Sequence, residues 1–426
     1  MSQNQPPGMG NPRASASAGE FERLLFELRD FNDGVREKAA IRLGEIGNKN
    51  AIQPLIGRLN NDKSPRVQWY AADALYKLGD AQAWPAIKDR LNAGGDALVR
   101  AKCAEILGLS GDKFFSDTLV DALRNGGDIA NIAAVGLGRL KNLDVLAKLI
   151  NIIDTSRGSE ELKNFSVIAM IEMGTGVTNK VLETSGNNGD AYRVEVLSGL
   201  GQPAVVQISP YLNNKNNEIR SVAVQSLTKI ISDDSTMHLC NIVKTEENET
   251  IRSIALQALE QRPATQVEVA LIYVLQNDKN EKLKEVSAHI LGKLKIMASL
   301  EPLEKIALRD YKDRMQLRTN GTAIIALGLL GDQRAIPTLG SLLLDCIDYK
   351  ARTLAAEAIS KIKSTAGFEY LISALGSDGN AEVRKASALA LGQLRDRRAV
   401  EPLRLVSNSD PDSGVKEAAK SALKML

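Results

Sequence analysis

The residues best suited to chemistry in this 426-residue chain are gathered in two places. Both tryptophans, Trp69 and Trp84, lie with Tyr70 and Tyr76 inside 16 residues, which holds four of the 17 aromatic residues in the chain. Tyr70 and Asp73 are spaced to share one face of a helix. Lys102 and Glu105 hold the corresponding two places 32 residues later. Together they predict a mixed aromatic and charged patch. Aromatic rings offer large desolvated area to a partner and stack on flat ligands; the competing reading is rings that fill a gap near the N-terminal end. The second place is the charged run Arg309-Asp310-Tyr311-Lys312-Asp313-Arg314. It falls where an otherwise regular spacing lengthens, and loops added to a regular scaffold are where binding residues collect. The candidate partner-binding residues are therefore Trp69, Tyr70, Asp73, Lys102, Glu105, Arg309, Tyr311 and Arg314.

No catalytic, cofactor-binding or metal-ligating residue is assigned. The chain has two histidines, His238 and His289, so a His-rich metal site cannot be built. His289 sits beside an apolar helical stripe and reads as a polar-edge residue. Cys103, Cys240 and Cys346 are odd in number and far apart, which suits core thiols better than disulfides or zinc. Gly136-Leu-Gly138 ends a helix and follows no strand, so a dinucleotide site is not indicated. With 54 basic against 52 acidic residues there is no excess charge to neutralise phosphates, so no nucleic acid is expected as a partner. No apolar run reaches the 18 residues of a membrane span, and the N-terminus lacks a secretory pattern. A reducing, cytoplasmic setting is expected. Residues 1–19, rich in Pro, Gly, Ser, Asn and Gln, predict a disordered tail.

The elements that must position the candidates are set by internal repetition. Val35-Arg36…Ala39-Ala40…Leu43-Gly44 returns 32 residues later as Val67-Gln68…Ala71-Ala72…Leu75, and again as Val99-Arg100…Cys103-Ala104…Leu107-Gly108. The register continues at Ile219-Arg220, Ile251-Arg252 and Leu283-Lys284, then at Ala351-Arg352, Val383-Arg384 and Val415-Lys416. Looser copies begin near Ile129, Leu162 and Tyr192, and another spans Leu317 to Asp332. Each unit predicts two helices. The first follows a Gly-Asp turn and often carries Pro in its opening turn, where a missing N–H costs nothing. The second carries an apolar stripe at i, i+4 and i+8, and the Leu-Gly and Gly-Asp pairs are expected to close it in the left-handed region. Five positions before the Val-Arg pair an acid recurs, at Asp30, Asp62, Asp278, Asp378 and Asp410. It is placed either to cap the second helix or to meet the arginine of an adjacent unit. The step from Gly292 to Gly328 is 36 residues, and the four extra are expected in a longer turn. A single helical hairpin cannot bury its apolar faces, so the units must stack. The expected fold is all-α: an α-solenoid, or α/α superhelix, of about 12–13 hairpins, running as one continuous domain over residues 20–426.

This pattern resembles HEAT repeats, in the short HEAT-like form first named from phycobilisome bilin lyases, and the resemblance covers everything after the tail. It implies an armadillo-like superhelix whose Val-Arg helices line a concave face, and a non-catalytic scaffold that binds another protein along that groove. The run Trp69-Tyr70-Ala71-Ala72 is similar to aromatic-aromatic-Ala-Ala runs of the lyase repeats. The alternative implied by that similarity is a phycobiliprotein bilin lyase or lyase-like chaperone. It would hold an open-chain tetrapyrrole for an acceptor thiol, with Asp73 as the acid that protonates a pyrrole.

Overall fold

The computed structural model describes residues 18–155, 159–183, 191–309 and 314–426, the side chains of 314–317 excepted. Of the expected tail, residues 1–17 lie outside this range, and the first helix, Ala18–Glu27, begins one residue before Gly19. The described residues form 26 α-helices in thirteen successive pairs, with no strand among them. The expectation of an all-α repeat fold of the solenoid class therefore holds. The chain divides into two compact units, residues 1–208 and 209–426.

In the first unit the second helices of the pairs are Asp33–Ile46, Pro65–Leu78, Ala97–Leu109, Gly127–Leu140, Glu160–Glu172 and Ala191–Gly199, each packed on the next. The first helices Ile52–Asn61, Trp84–Asn92 and Ser116–Ala122 form the other layer. Leu43, Leu75 and Leu107, 32 residues apart, are buried between the layers. In the second unit Asn217–Lys229, Glu249–Leu259, Glu281–Lys293, Arg314–Leu330, Tyr349–Ile362, Ala381–Leu394 and Ser413–Leu423 pack in the same sequential way. Most first helices open through a short 3-10 turn. Its preceding Asp or Asn, as at Asp80, Asp112 and Asp396, accepts the N–H two residues on.

The glycines divide two roles that the sequence had merged. Gly47 and Gly79 do close their helices at φ 76° and 63°. The glycine of the Leu-Gly pair instead lies inside the helix, at its crossing with the next second helix. A Cβ on Gly108 would stand 2.5 Å from Gly136 Cα, and one on Gly392 2.7 Å from Ala422 Cα. At four equivalent helix ends the left-handed residue is basic: Lys141, Lys295, Lys363 and Arg395, with φ between 46° and 56°. That conformation costs an L-residue roughly 1–2 kcal/mol. A cation beside the last carbonyls returns about 0.3–1 kcal/mol through the helix dipole.

Four of the five recurring acids, and Glu246 at a further joint, pair with arginine rather than capping. Arg36 meets Asp62, Arg220 Glu246, Arg252 Asp278, Arg352 Asp378 and Arg384 Asp410, always 26 residues apart. In each clamp Nε and one terminal nitrogen donate to the two carboxylate oxygens at 2.7–3.1 Å, a bidentate fork. The other terminal nitrogen reaches back to the arginine's own turn, as Arg384 does to the Asp378 carbonyl. The carboxylate also accepts the N–H two residues on, as Asp378 does from Asn380. Capping falls to that later residue: Asn380 accepts from Glu382 N–H. The acids are only 1–8% exposed, so the fork replaces water they have lost. Burial, the largest effect, pushes the Asp62, Glu246 and Asp378 carboxyls up, but their arginines and turn N–H groups hold them below the ordinary value. At Asp410 the Arg384 hydrogen bond is itself the largest influence and lowers it.

The four-residue insertion is expected as a longer turn, and residues 310–313, where that turn falls, lie outside the described residues. Gly292 is the twelfth residue of Glu281–Lys293, and Gly328 the fifteenth of Arg314–Leu330. The helix after the insertion thus begins three residues earlier relative to its glycine.

Candidate functional site

Helices Pro65–Leu78 and Ala97–Leu109 are neighbouring second helices of the first unit, and their facing surfaces bring five candidates together. Pro65 and the open turn after Asp62 start the first of them, and the Ala71-Ala72 pair lets the neighbour come close. Trp69 and Tyr70 are half-buried, with ring centroids 5.0 Å apart and planes at 80°, an edge-to-face pair. Lys102 crosses from the neighbouring helix and lays its Nζ 4.4 Å from the Trp69 ring centroid. The same ammonium donates to Asp73 at 2.9 Å and Glu105 at 3.1 Å. Lys77, not singled out in the sequence, also reaches Asp73 at 2.9 Å. Its i, i+4 spacing was the available signal.

The electrostatics fix the protonation states. Burial is the largest effect on Asp73 and pushes it up, but Lys77 and Lys102 outweigh it, so its carboxyl sits below the ordinary value. Burial also pulls Lys102 down, and Asp73 and Glu105 more than restore it. The patch is therefore a carboxylate–ammonium network under an aromatic pair. An acid held below its ordinary value is a poor proton donor at neutral pH, so Asp73 does not fit the role of pyrrole protonation. Cys103, on the same helix as Lys102, is buried, and burial pushes its thiol up to about 12. It is not a nucleophile at neutral pH.

The aromatic cluster read from the sequence splits in two. Trp84 opens a first helix and packs with Phe115, centroids 5.7 Å apart, in the other layer. Sequence proximity could not reveal this, because the turn between residues 78 and 84 carries the chain from one layer to the other.

In the second unit Arg309 donates to Glu281 at 3.2 and 2.8 Å and to Asn320, whose side-chain amide returns a bond to the Arg309 carbonyl. It joins two neighbouring pairs. Tyr311 and the Arg314 side chain lie outside the described residues. Among the described residues no group of three or more His, Cys, Asp and Glu is arranged to hold a metal. No described helix is long and apolar enough to cross a membrane.

Two layers of short helical pairs, clamped at 26-residue intervals, define a helical-repeat protein. The HEAT repeat profile matches residues 21–108, 268–360 and 341–424, more than half of the sequence. The chain belongs to the HEAT-repeat family. Phycocyanobilin lyase subunit alpha of Picosynechococcus sp. is 41% identical over 88 residues, which cover 18% of this chain and 32% of that protein. The chain thus matches about a third of that relative's length. Among solved structures, the karyopherin Kap121p bound to the extreme C-terminus of the phosphatase Cdc14p is similar with a TM-score of 0.47. The identity is 13%, over 96% of this chain and 53% of that one. Kap95 in its Nup1 complex gives 0.40 at 12% identity, over 96% and 67%.

Proposed function

We propose that the chain is a non-catalytic interaction scaffold that binds another protein along the layer of second helices, with Trp69, Tyr70, Asp73, Lys102 and Glu105 as an anchor. The observation that carries this reading is the half-exposed Trp69–Tyr70 pair, held by Lys102 and the acids beside it. Rigid aromatic surface backed by charge is the composition of interface hot spots. A repeat stack offers such anchors on an extended face, and the charge balance favours a protein over nucleic acid. Three unpaired thiols suit a reducing compartment such as the cytoplasm. Arg309, Tyr311 and Arg314 form the second proposed contact, with Arg309 contributing through its edge while it pairs with Glu281.

The test is affinity capture of the tagged protein from its native host beside a Trp69→Ala/Tyr70→Ala variant. The scaffold reading expects a stoichiometric protein with the wild type, lost in the variant, in a colourless eluate. Turnover or transfer of a small ligand by the purified chain would overturn it. The second reading, a bilin lyase, is favoured by the 41% identity to a lyase subunit and by the Trp69-Tyr70-Ala71-Ala72 run. It requires a visible-range spectral change on mixing with an open-chain tetrapyrrole, and a proton donor other than Asp73.

A further inference from the structure

The basic helix ends are not explained by folding. All four non-glycine residues with positive φ among the described residues are Lys or Arg. Glycine fills the same place after other second helices, at Gly47, Gly79 and Gly331. The left-handed strain is at least as large as the dipole gain set out above, so glycine would serve the helix as well or better. Lys363 and Arg395 follow adjacent helices, Tyr349–Ile362 and Ala381–Leu394, that pack side by side. Both are exposed, and neither has an ion-pair partner. Lys361 and Arg397, one on each of the same two turns, are also exposed and unpaired.

Two acids along this edge, Asp396 and Asp332, are already committed. Asp396 caps the Arg398 N–H and is forked by the Arg398 side chain, at 3.0 and 2.7 Å; Asp332 is engaged by Arg334 in the same manner. Arg398 also lies 4.1 Å from the Phe368 ring centroid and 3.6 Å from Glu369. Lys361, Lys363, Arg395 and Arg397 remain as a row of cations without ion-pair partners, stepped by one helix pair.

We propose that this edge of the second unit binds an extended acidic segment of a partner polypeptide, with Lys361, Lys363, Arg395 and Arg397 meeting its carboxylates. Neighbouring helices lie about 8–10 Å apart, and an extended chain rises about 3.3 Å per residue. A carboxylate at every third residue therefore matches the step from Lys363 to Arg395. Duplex DNA carries one charge per about 1.7 Å of axis, several times denser than two cations per step. The surface does not depend on the face around Trp69.

The experiment uses the full chain and a labelled twelve-residue peptide with Glu at every third position and Gly or Ser elsewhere, followed by fluorescence anisotropy. The wild type should bind in a salt-sensitive manner and bind duplex DNA of equal total charge less tightly. A Lys363→Gly/Arg395→Gly variant should lose at least tenfold in affinity while its Tm stays the same or rises, since glycine suits those backbone angles. Lys141→Gly, in the first unit, should leave binding unchanged. No binding by the wild type, tighter binding of DNA, or undiminished binding by the double variant would each overturn the proposal.

Discussion

The joints between helix pairs differ between the two units. Four of those in residues 209–426 are closed by the same bidentate arginine–acid clamp at the same 26-residue interval. Residues 18–208 open with one such clamp, Arg36–Asp62, and then improvise. At the next joint Gln68 replaces arginine. Its amide donates to the Asp62 carbonyl at 2.6 Å and accepts from Arg90 of a first helix, which also reaches the Gly94 carbonyl. One joint further, Arg100 finds the Leu91 carbonyl and Asn125 in place of a carboxylate. Beyond that, Gly127 N–H donates to Glu161 across the pair. The close crossing of second helices persists through the change, at Gly44 on Ala74 and Gly108 on Gly136 as at Gly328 on Ala358 and Gly392 on Ala422. Helix approach is the shared requirement. The polar clamp is a device laid over it, which fixes register and can be replaced by other donors and acceptors.

If so, closing the crossing should hurt both units alike. Gly108→Val and Gly392→Val each drive a side chain into backbone that cannot yield, and each should cost about 3 kcal/mol, read by urea unfolding. A tolerated valine at either position breaks the comparison. The clamps should then separate the units. Arg384→Ala strips a carboxylate of its fork and should cost about 2–3 kcal/mol. Gln68→Ala, which loses one neutral partner and one charged one, should cost about 1 kcal/mol.

Acid sharpens the contrast further. The Glu246, Asp378 and Asp410 carboxyls lie below their ordinary values in the folded chain. Their stabilisation is complete above the unfolded carboxylate value of about 4 and is lost as pH falls through the folded values. The Tm should therefore be flat from neutral pH to about 5 and fall steeply below 4. In the Asp378→Asn variant the Tm should start lower and the acid drop should be smaller. An equal drop would remove the clamps from the explanation. The smallest effect concerns the aromatic patch: Lys102→Met forfeits a cation–π contact and two ion pairs but fills the same space, and should cost about 1 kcal/mol or less by the same unfolding measurement.

The repeat, the helix pairs and the arginine–acid pairing were legible because each rests on residue type at a fixed interval. The roles of Gly44 and Gly108 were not, since a glycine at a helix crossing and one at a helix end look alike within two residues of each other. The fate of the four-residue insertion was hidden for a related reason. Spacing reveals that length was added, while only the backbone shows that the helix ending at Leu330 starts three residues early relative to its glycine. At the candidate site the 32-residue register set Lys102 and Glu105 beside Tyr70 and Asp73. It missed that the lysine would settle on Trp69 and hold Asp73 ionised, because protonation depends on burial and on Lys77 together.

A clamp that always spans 26 residues, within a repeat of 32, gives the gene a reading phase for gain and loss. Excising residues 353–384 would set Arg352 at the same interval before the acid that is now Asp410, and would bring Ala390 to the place of Ala358 against Gly328. The clamp and the glycine–alanine crossing at the new junction would both be of a kind the chain already makes. Recombination in whole cassettes can therefore lengthen or shorten the second unit without inventing an interface, whereas the bespoke joints around Gln68 and Arg100 tie the first unit to its present sequence.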